Sequence, residues 1–169
     1  MRNMCGILAA SLCFARPVAG AEIQACNVTV DVIDTDPKGT NLRDAPGGKV
    51  MAVLKLPADN VDDWIEVHVV GQSGDWFLID AATLVGDGEK SIFKGSGYAH
   101  RSVLGSSGLQ SHTTILSDHQ VKSPVIASNP SGDQPIGFLG CWGDFVKIHT
   151  KEGTGWTKGL CLNQRTTCS

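Results

Sequence analysis

The chain has 169 residues, 41% of them hydrophobic, and a formal net charge of -3 at pH 7. Mild acidity argues against nucleic acid and against an anionic membrane surface as partners, because both select basic patches. After Ala21 no segment approaches the roughly 18 consecutive apolar residues of a membrane span, so no membrane insertion is expected.

In chain order, residues 1–21, "MRNMCGILAASLCFARPVAGA", come first. They join a basic start at Arg2 to an apolar run from Cys5 to Ala15 and close on Ala19-Gly20-Ala21, the small-x-small pattern of a signal-peptidase site. The reading is a cleaved signal peptide, and losing Arg2 and Arg16 with it takes the net charge to -5. The product is expected to be periplasmic or secreted. Residues 22–169 keep Cys26, Cys141, Cys161 and Cys168, an even count that in an exported protein favours two disulfides. Zinc is the rival, but Cys161 and Cys168 are too far apart for a CxxC knuckle and no HxxxH accompanies them. Four cysteines allow three connectivities, and spacing does not choose among them.

The chain's twenty glycines and seven prolines, all but Gly6, Pro17 and Gly20 beyond residue 21, break it into short apolar runs, the pattern of an all-β fold with many turns. "CNVTVDV" alternates from Cys26 to Val32, and "VMAVLKL", "WIEVHVV" and "WFLID" follow. An internal repeat organises these runs. "GQSGDWFLI" (Gly71 to Ile79) recurs as "GCWGDFVKI" (Gly140 to Ile148), 69 residues on. Upstream, "LRDAPGGKVMA" faces "LSDHQVKSPVIA"; downstream, "GYA" at Gly97 faces "GWT" at Gly155. Three matches in the same order point to a duplicated unit.

The shared frame resembles the bacterial SH3 domain. Its asparagine-apolar-arginine opening, turn, branched strand, Gly-Asp-aromatic step and closing Gly-aromatic strand stand here as "NLRDAPGGKVMAVL", "GDWFLI" and "GYAHRSVLG". The second copy offers "ILSDHQVKSPVIA", "GDFVKI" and "GTGWTKGLC", without the asparagine and arginine. The resemblance implies two tandem SH3-like small barrels, residues 22–105 and 106–169, after the leader 1–21. It also implies a shallow ligand groove between the first long loop, the Gly-Asp-aromatic loop and a final helical turn. Trp76 and Asp75 would line the groove in the first copy, Trp142 and Phe145 in the second, with Tyr98 as a further candidate. Trp76 and Trp142 are expected to be part-exposed, whereas Tyr98 and Trp156 read as barrel core. The same arrangement puts Cys141 in the loop before Gly143-Asp144 and Cys161 in the closing helical turn, so it implies bridges Cys141–Cys161 and Cys26–Cys168. The rival pairing joins Cys161 to Cys168 and Cys26 to Cys141. If Cys141 did cross-link the groove rim, binding would fall to the first copy. The first copy also carries an insertion, "TLVGDGEKSIF" from Thr83 to Phe93, read as a long loop.

Catalytic signatures are missing: no Gly-x-Ser-x-Gly elbow, no His-Glu-x-x-His and no phosphate loop occur, and a cysteine hydrolase would need a further domain. His112, His119 and His149 read as solvated loop or strand-end residues, with Asp118-His119 the pair to test for a metal. The expectation is a non-enzyme with no cofactor and no metal. Its partner would be a cell-wall peptide or envelope protein. The alternatives are an inhibitor or immunity protein that blocks an exported enzyme, with "TLVGDGEKSIF" as its protruding loop, or a structural or host-contact protein.

Overall fold

A computed structural model describes residues 22–58, 62–128 and 136–162; the expected leader 1–21 and Cys168 lie outside the described residues. Among the described residues there are fourteen β-strands, one 3₁₀ turn and no α-helix, so the chain is all-β. The first strands are β1 (Gln24–Val32), β2 (Thr40–Arg43), β3 (Val50–Leu54), β4 (Trp64–Ser73), β5 (Trp76–Val85) and β6 (Glu89–His100). The 3₁₀ turn Arg101–Val103 leads into β7 (Leu104–Ser106) and β8 (Gly108–Leu109). Then follow β9 (Thr114–Leu116), β10 (Val125–Ser128), β11 (Ile136–Trp142), β12 (Phe145–Thr150), β13 (Gly153–Thr157) and β14 (Leu160–Cys161).

Alternation decides which side chains go in. Along β1, Cys26, Val28 and Val30 are buried while Ala25, Asn27 and Thr29 face out, the period-2 pattern of a strand with one wet face. The β4–β5 and β11–β12 hairpins turn on two residues each. Gly74 (φ 60°) and Gly143 (φ 52°) take the first central position, where a primed hairpin turn requires positive φ and glycine adopts it without strain.

Twelve strands hydrogen-bond into one antiparallel sheet in the order β10-β9-β13-β12-β11-β7-β1-β4-β5-β6-β2-β3, and β8 pairs separately with β14. Outward from the β7–β1 contact the two wings have the same order: β1-β4-β5-β6-β2-β3 on one side and β7-β11-β12-β13-β9-β10 on the other. The duplication in the sequence is thus a duplication of strand order. The boundary expected between residues 105 and 106 falls inside β7, which serves both wings: Gly105 pairs with Asp31 of β1 and with Gly137 of β11. A Cβ at Gly105 would lie 2.6 Å from the Ile136 carbonyl oxygen and 2.9 Å from Ile33 Cδ1, so only glycine lets the strands close. The Ser106 and Ser107 hydroxyls donate to the Cys161 carbonyl oxygen (2.6 and 2.7 Å), which fixes β14 against the same segment. Buried Asp31 accepts the Ser107 N–H at 3.1 Å. One apolar cluster runs through both wings, and Phe77 stacks on Phe138 across them at 4.4 Å.

Two expectations are corrected here. Cys141 bonds to Cys26, with Cα atoms 5.6 Å apart, and not to Cys161; Cys26 is therefore unavailable to Cys168, while Cys161 is oxidised as well. The reason lies in which strands each cysteine meets. Cys161 lies in a strand, β14, that pairs with β8, so no helical turn carries it to the β11–β12 hairpin. That hairpin tip instead rests on β1, where the Asn27 N–H donates to Gly143 O (2.8 Å) and the Gly143 N–H to Ala25 O (3.0 Å). The second correction concerns "TLVGDGEKSIF". Thr83–Val85 end β5 and Glu89–Phe93 begin β6, joined across Gly86–Gly88, so the insertion extends a hairpin and is not a loop.

Candidate functional site: the aromatic outer faces

The inward side chains of β5 and β6, Phe77, Ile79 and Ala99, are buried, so their neighbours face out. Trp76, Leu78, Tyr98 and His100 follow by alternation, with Trp76 paired to His100 and Leu78 to Tyr98. The Trp76 ring meets His100 edge-on at 5.2 Å. Arg43, paired to Tyr98 from β2, holds its guanidinium 5.8 Å from the Trp76 centroid and donates to the Gly48 carbonyl oxygen at 2.6 Å. At the hairpin turn Asp75 is exposed and ion-paired to Arg101 Nε at 3.3 Å. Trp76 and Tyr98 are both half-buried: for Trp76 this matches the expectation, whereas Tyr98 belongs to the outer face and not to the core.

The second wing repeats the arrangement with different residues. Phe145 opens β12 as Trp76 opens β5 and is 9% exposed, with Lys158 Nζ 4.6 Å from its ring centroid. Lys147, two residues on, lies 5.6 Å from the centroid of Trp156; Trp156 is half-buried on this face, so it too leaves the core assigned to it. Trp142 pairs with Phe145 across the turn and is 46% exposed. His119 stacks on Trp142 at 4.3 Å, with the planes 30° apart, and meets Trp156 edge-on at 5.3 Å. Asp118 Oδ1 is 2.6 Å from His119 Nδ1. His119 was thus missed as a member of the site. It sits in the β9–β10 turn, and only the tertiary fold brings that turn to the end of β11, since β13 and β12 stand between β9 and β11 in the sheet.

A chain of polar side chains on the surface ties the wings together. Asp80 Oδ1 is 2.7 Å from His68 Nδ1, and His68 Nε2 is 3.1 Å from Asn27 Oδ1. Asn27 Nδ2 donates to Asp144 Oδ1 (3.1 Å), and Lys158 Nζ contacts Asp144 Oδ2 at 3.1 Å. The Asn27 hydrogen bond first, then Lys158 through its hydrogen bond and its charge, hold the Asp144 carboxyl below the usual carboxylate range, since each favours the ionised form.

Two clefts among the described residues lie apart from Trp76. In the first wing a cleft of about 680 Å³ opens between residues 33–39 and 54–58, over Val32, Leu54 and Ile65. In the second, a cleft of about 460 Å³ is lined by Gln110, Thr113, Phe145, Thr157 and Lys158. His112, at its rim, has φ 62°. With Cys141 bonded to Cys26, Cys141 does not cross-link a groove rim to Cys161, and the assignment of binding to the first copy loses its basis. Among the described residues no three His, Cys, Asp or Glu side chains converge on a metal position. Asp118 and His119 come together, but what they face is Trp142 and Trp156.

No protein-family model matches this chain, and no curated protein and no solved structure matches it.

Proposed function

We propose that this chain is an exported, non-catalytic binding protein made of two tandem bacterial-SH3-type barrels. Its outer faces would contact a cell-envelope component, a peptidoglycan peptide or an envelope protein. The observation that carries the reading is that each wing sets a cation beside the aromatic ring that follows its Gly-Asp turn, Arg43 by Trp76 and Lys158 by Phe145, and the second wing adds Lys147 by Trp156. Large rings lose little entropy on binding, and a cation beside them selects for acidic or polar ligands. The duplicated strand order supports the two-barrel reading. A disulfide between buried cysteines supports an oxidising compartment.

Sedimentation with purified peptidoglycan, beside a pull-down from envelope extract, tests the reading. The protein should pellet with peptidoglycan or retain one envelope protein, and Trp76→Ala should weaken that retention. Recovery of neither partner refutes it.

One observation favours a second reading, inhibition of an exported enzyme. The β5–β6 hairpin runs on past the Arg43–Tyr98 pair to a tip at Gly86–Gly88, and protruding loops are what inhibitors insert. Shortening the tip would abolish inhibition while leaving peptidoglycan sedimentation intact.

A further inference from the structure

We infer that the outer face of β11, β12 and β13 is a saccharide platform, on which Trp142 stacks against a carboxylate-bearing sugar. The inference names the ligand chemistry of one wing and rests on the reading of the chain as a binding module.

The fold does not require a tryptophan here. In the first wing the equivalent corner, the residue paired across the turn to the opening aromatic, is Ser73, which is buried. The same hairpin therefore forms with a small side chain, whereas Trp142 leaves 46% of its surface in water. A ring so exposed would ordinarily sample several rotamers, but this one is braced. His119 lies against it at 4.3 Å, nearly parallel, and is itself held by Asp118 at 2.6 Å and by the edge contact to Trp156 at 5.3 Å. Bracing removes the ordering cost that binding would otherwise carry.

A flat, rigid and open indole suits the C–H face of a pyranose ring, whereas an apolar side chain of a peptide needs an enclosing cleft. The cleft on this wing lies around Phe145 and does not include Trp142. Charge narrows the sugar. Asp144 is matched by Lys158, and Asp118 is held against the His119 ring. Lys147 makes no ion pair among the described residues and stands over Trp156, in the same aromatic cluster. Lys147 thus offers the ligand a cation without an acidic partner, so a sugar acid fits better than a neutral hexose.

The test uses the full-length oxidised protein. Two acidic probes, a peptide-free glycan of alternating N-acetylglucosamine and N-acetylmuramic acid and an oligogalacturonate, are titrated against a neutral chitin hexamer, following the tryptophan indole N–H signals by NMR. The acidic glycans should shift the Trp142 signal and bind more tightly than the neutral one. Trp142→Ala should weaken them at least about tenfold, which is about 1.4 kcal/mol. Lys147→Gln should abolish the preference for the acidic probes while binding of the neutral one is unchanged. Circular dichroism of both variants guards against unfolding. If no saccharide moves the Trp142 signal while the protein still pellets with intact peptidoglycan, the platform is refuted and the module reading stands. If the acidic glycans bind but no envelope partner is retained, the platform stands and the envelope reading fails. Equal affinity for acidic and neutral probes overturns the role given to Lys147.

Discussion

Replacing Cys26 and Cys141 together by alanine isolates the bond that joins the two wings. The cysteines are 115 residues apart. In the chain-entropy account a cross-link closing a loop of this length restricts the unfolded ensemble by about 4 to 5 kcal/mol. Both sulfur positions are buried, Cys141 at 1% and Cys26 at 7% exposure, and alanine leaves a small void there that adds to the loss. For a chain of this size each kcal/mol moves the melting temperature by roughly 2 to 4 °C, so the double variant should melt some 10 to 20 °C lower. The assay is calorimetry of the oxidised protein, with denaturant titration alongside. The denaturant slope should rise, because the unfolded chain expands once the link is gone. A fall under about 3 °C with an unchanged slope would refute the reasoning. Non-reducing peptide mapping checks the premise: it should return a peptide linking Cys26 to Cys141, and a Cys141–Cys161 peptide would overturn it.

Four further outcomes follow from the geometry. Gly105→Ala should cost about 1 to 3 kcal/mol, the scale of overpacking, because its Cβ meets the Ile136 carbonyl and Ile33; unchanged urea denaturation would contradict this. Trp76→Ala should weaken a retained partner by more than about 2 kcal/mol, as at a hot spot, with less loss of stability than the roughly 3 to 5 kcal/mol of a core tryptophan; a large melting shift with no binding effect would return Trp76 to a structural role. The Asp144 carboxyl should titrate by NMR below the usual carboxylate range, and Asn27→Ala should move its midpoint upward. Because its folded value is depressed, Asp144 stabilises above the unfolded value of about 4 and loses that effect as pH falls through the lower folded value; Asp144→Asn should therefore flatten the acid limb of stability between those two points.

The strands were legible because their signal is local. Alternation in "CNVTVDV" and the Gly-Asp turns located β1 and both hairpins, and the repeat between Gly71 and Gly140 anticipated the matching strand orders. Pairing of the cysteines was not legible, since it depends on the β11–β12 tip meeting β1, a contact between segments 115 residues apart. Tyr98 and Trp156 read as core in the sequence because aromatics in strands usually are. Their glycine and small neighbours, Gly97, Ala99, Gly155 and Thr157, occupy the inward positions and could have shown it. His119 reaches Trp142 only through the tertiary fold, past β13 and β12, which no spacing encodes. "TLVGDGEKSIF" was misjudged because Gly86-Asp87-Gly88 suggested slack, when it is a turn between two strands that continue the hairpin.

The strand common to both wings has a consequence for cooperativity. β7 has β1 on one flank and β11 on the other, and Gly105 is paired on both. A wing cannot let go of this segment without stripping the other of a neighbour, so local opening on either side propagates through the middle of the sheet. Calorimetric and van't Hoff enthalpies should then coincide for the intact chain, as in a single folding unit. Fragments cut at residue 105 or 106 would each expose a bare sheet margin, the kind that recruits other chains. For this molecule the unit of folding is larger than the unit of repetition.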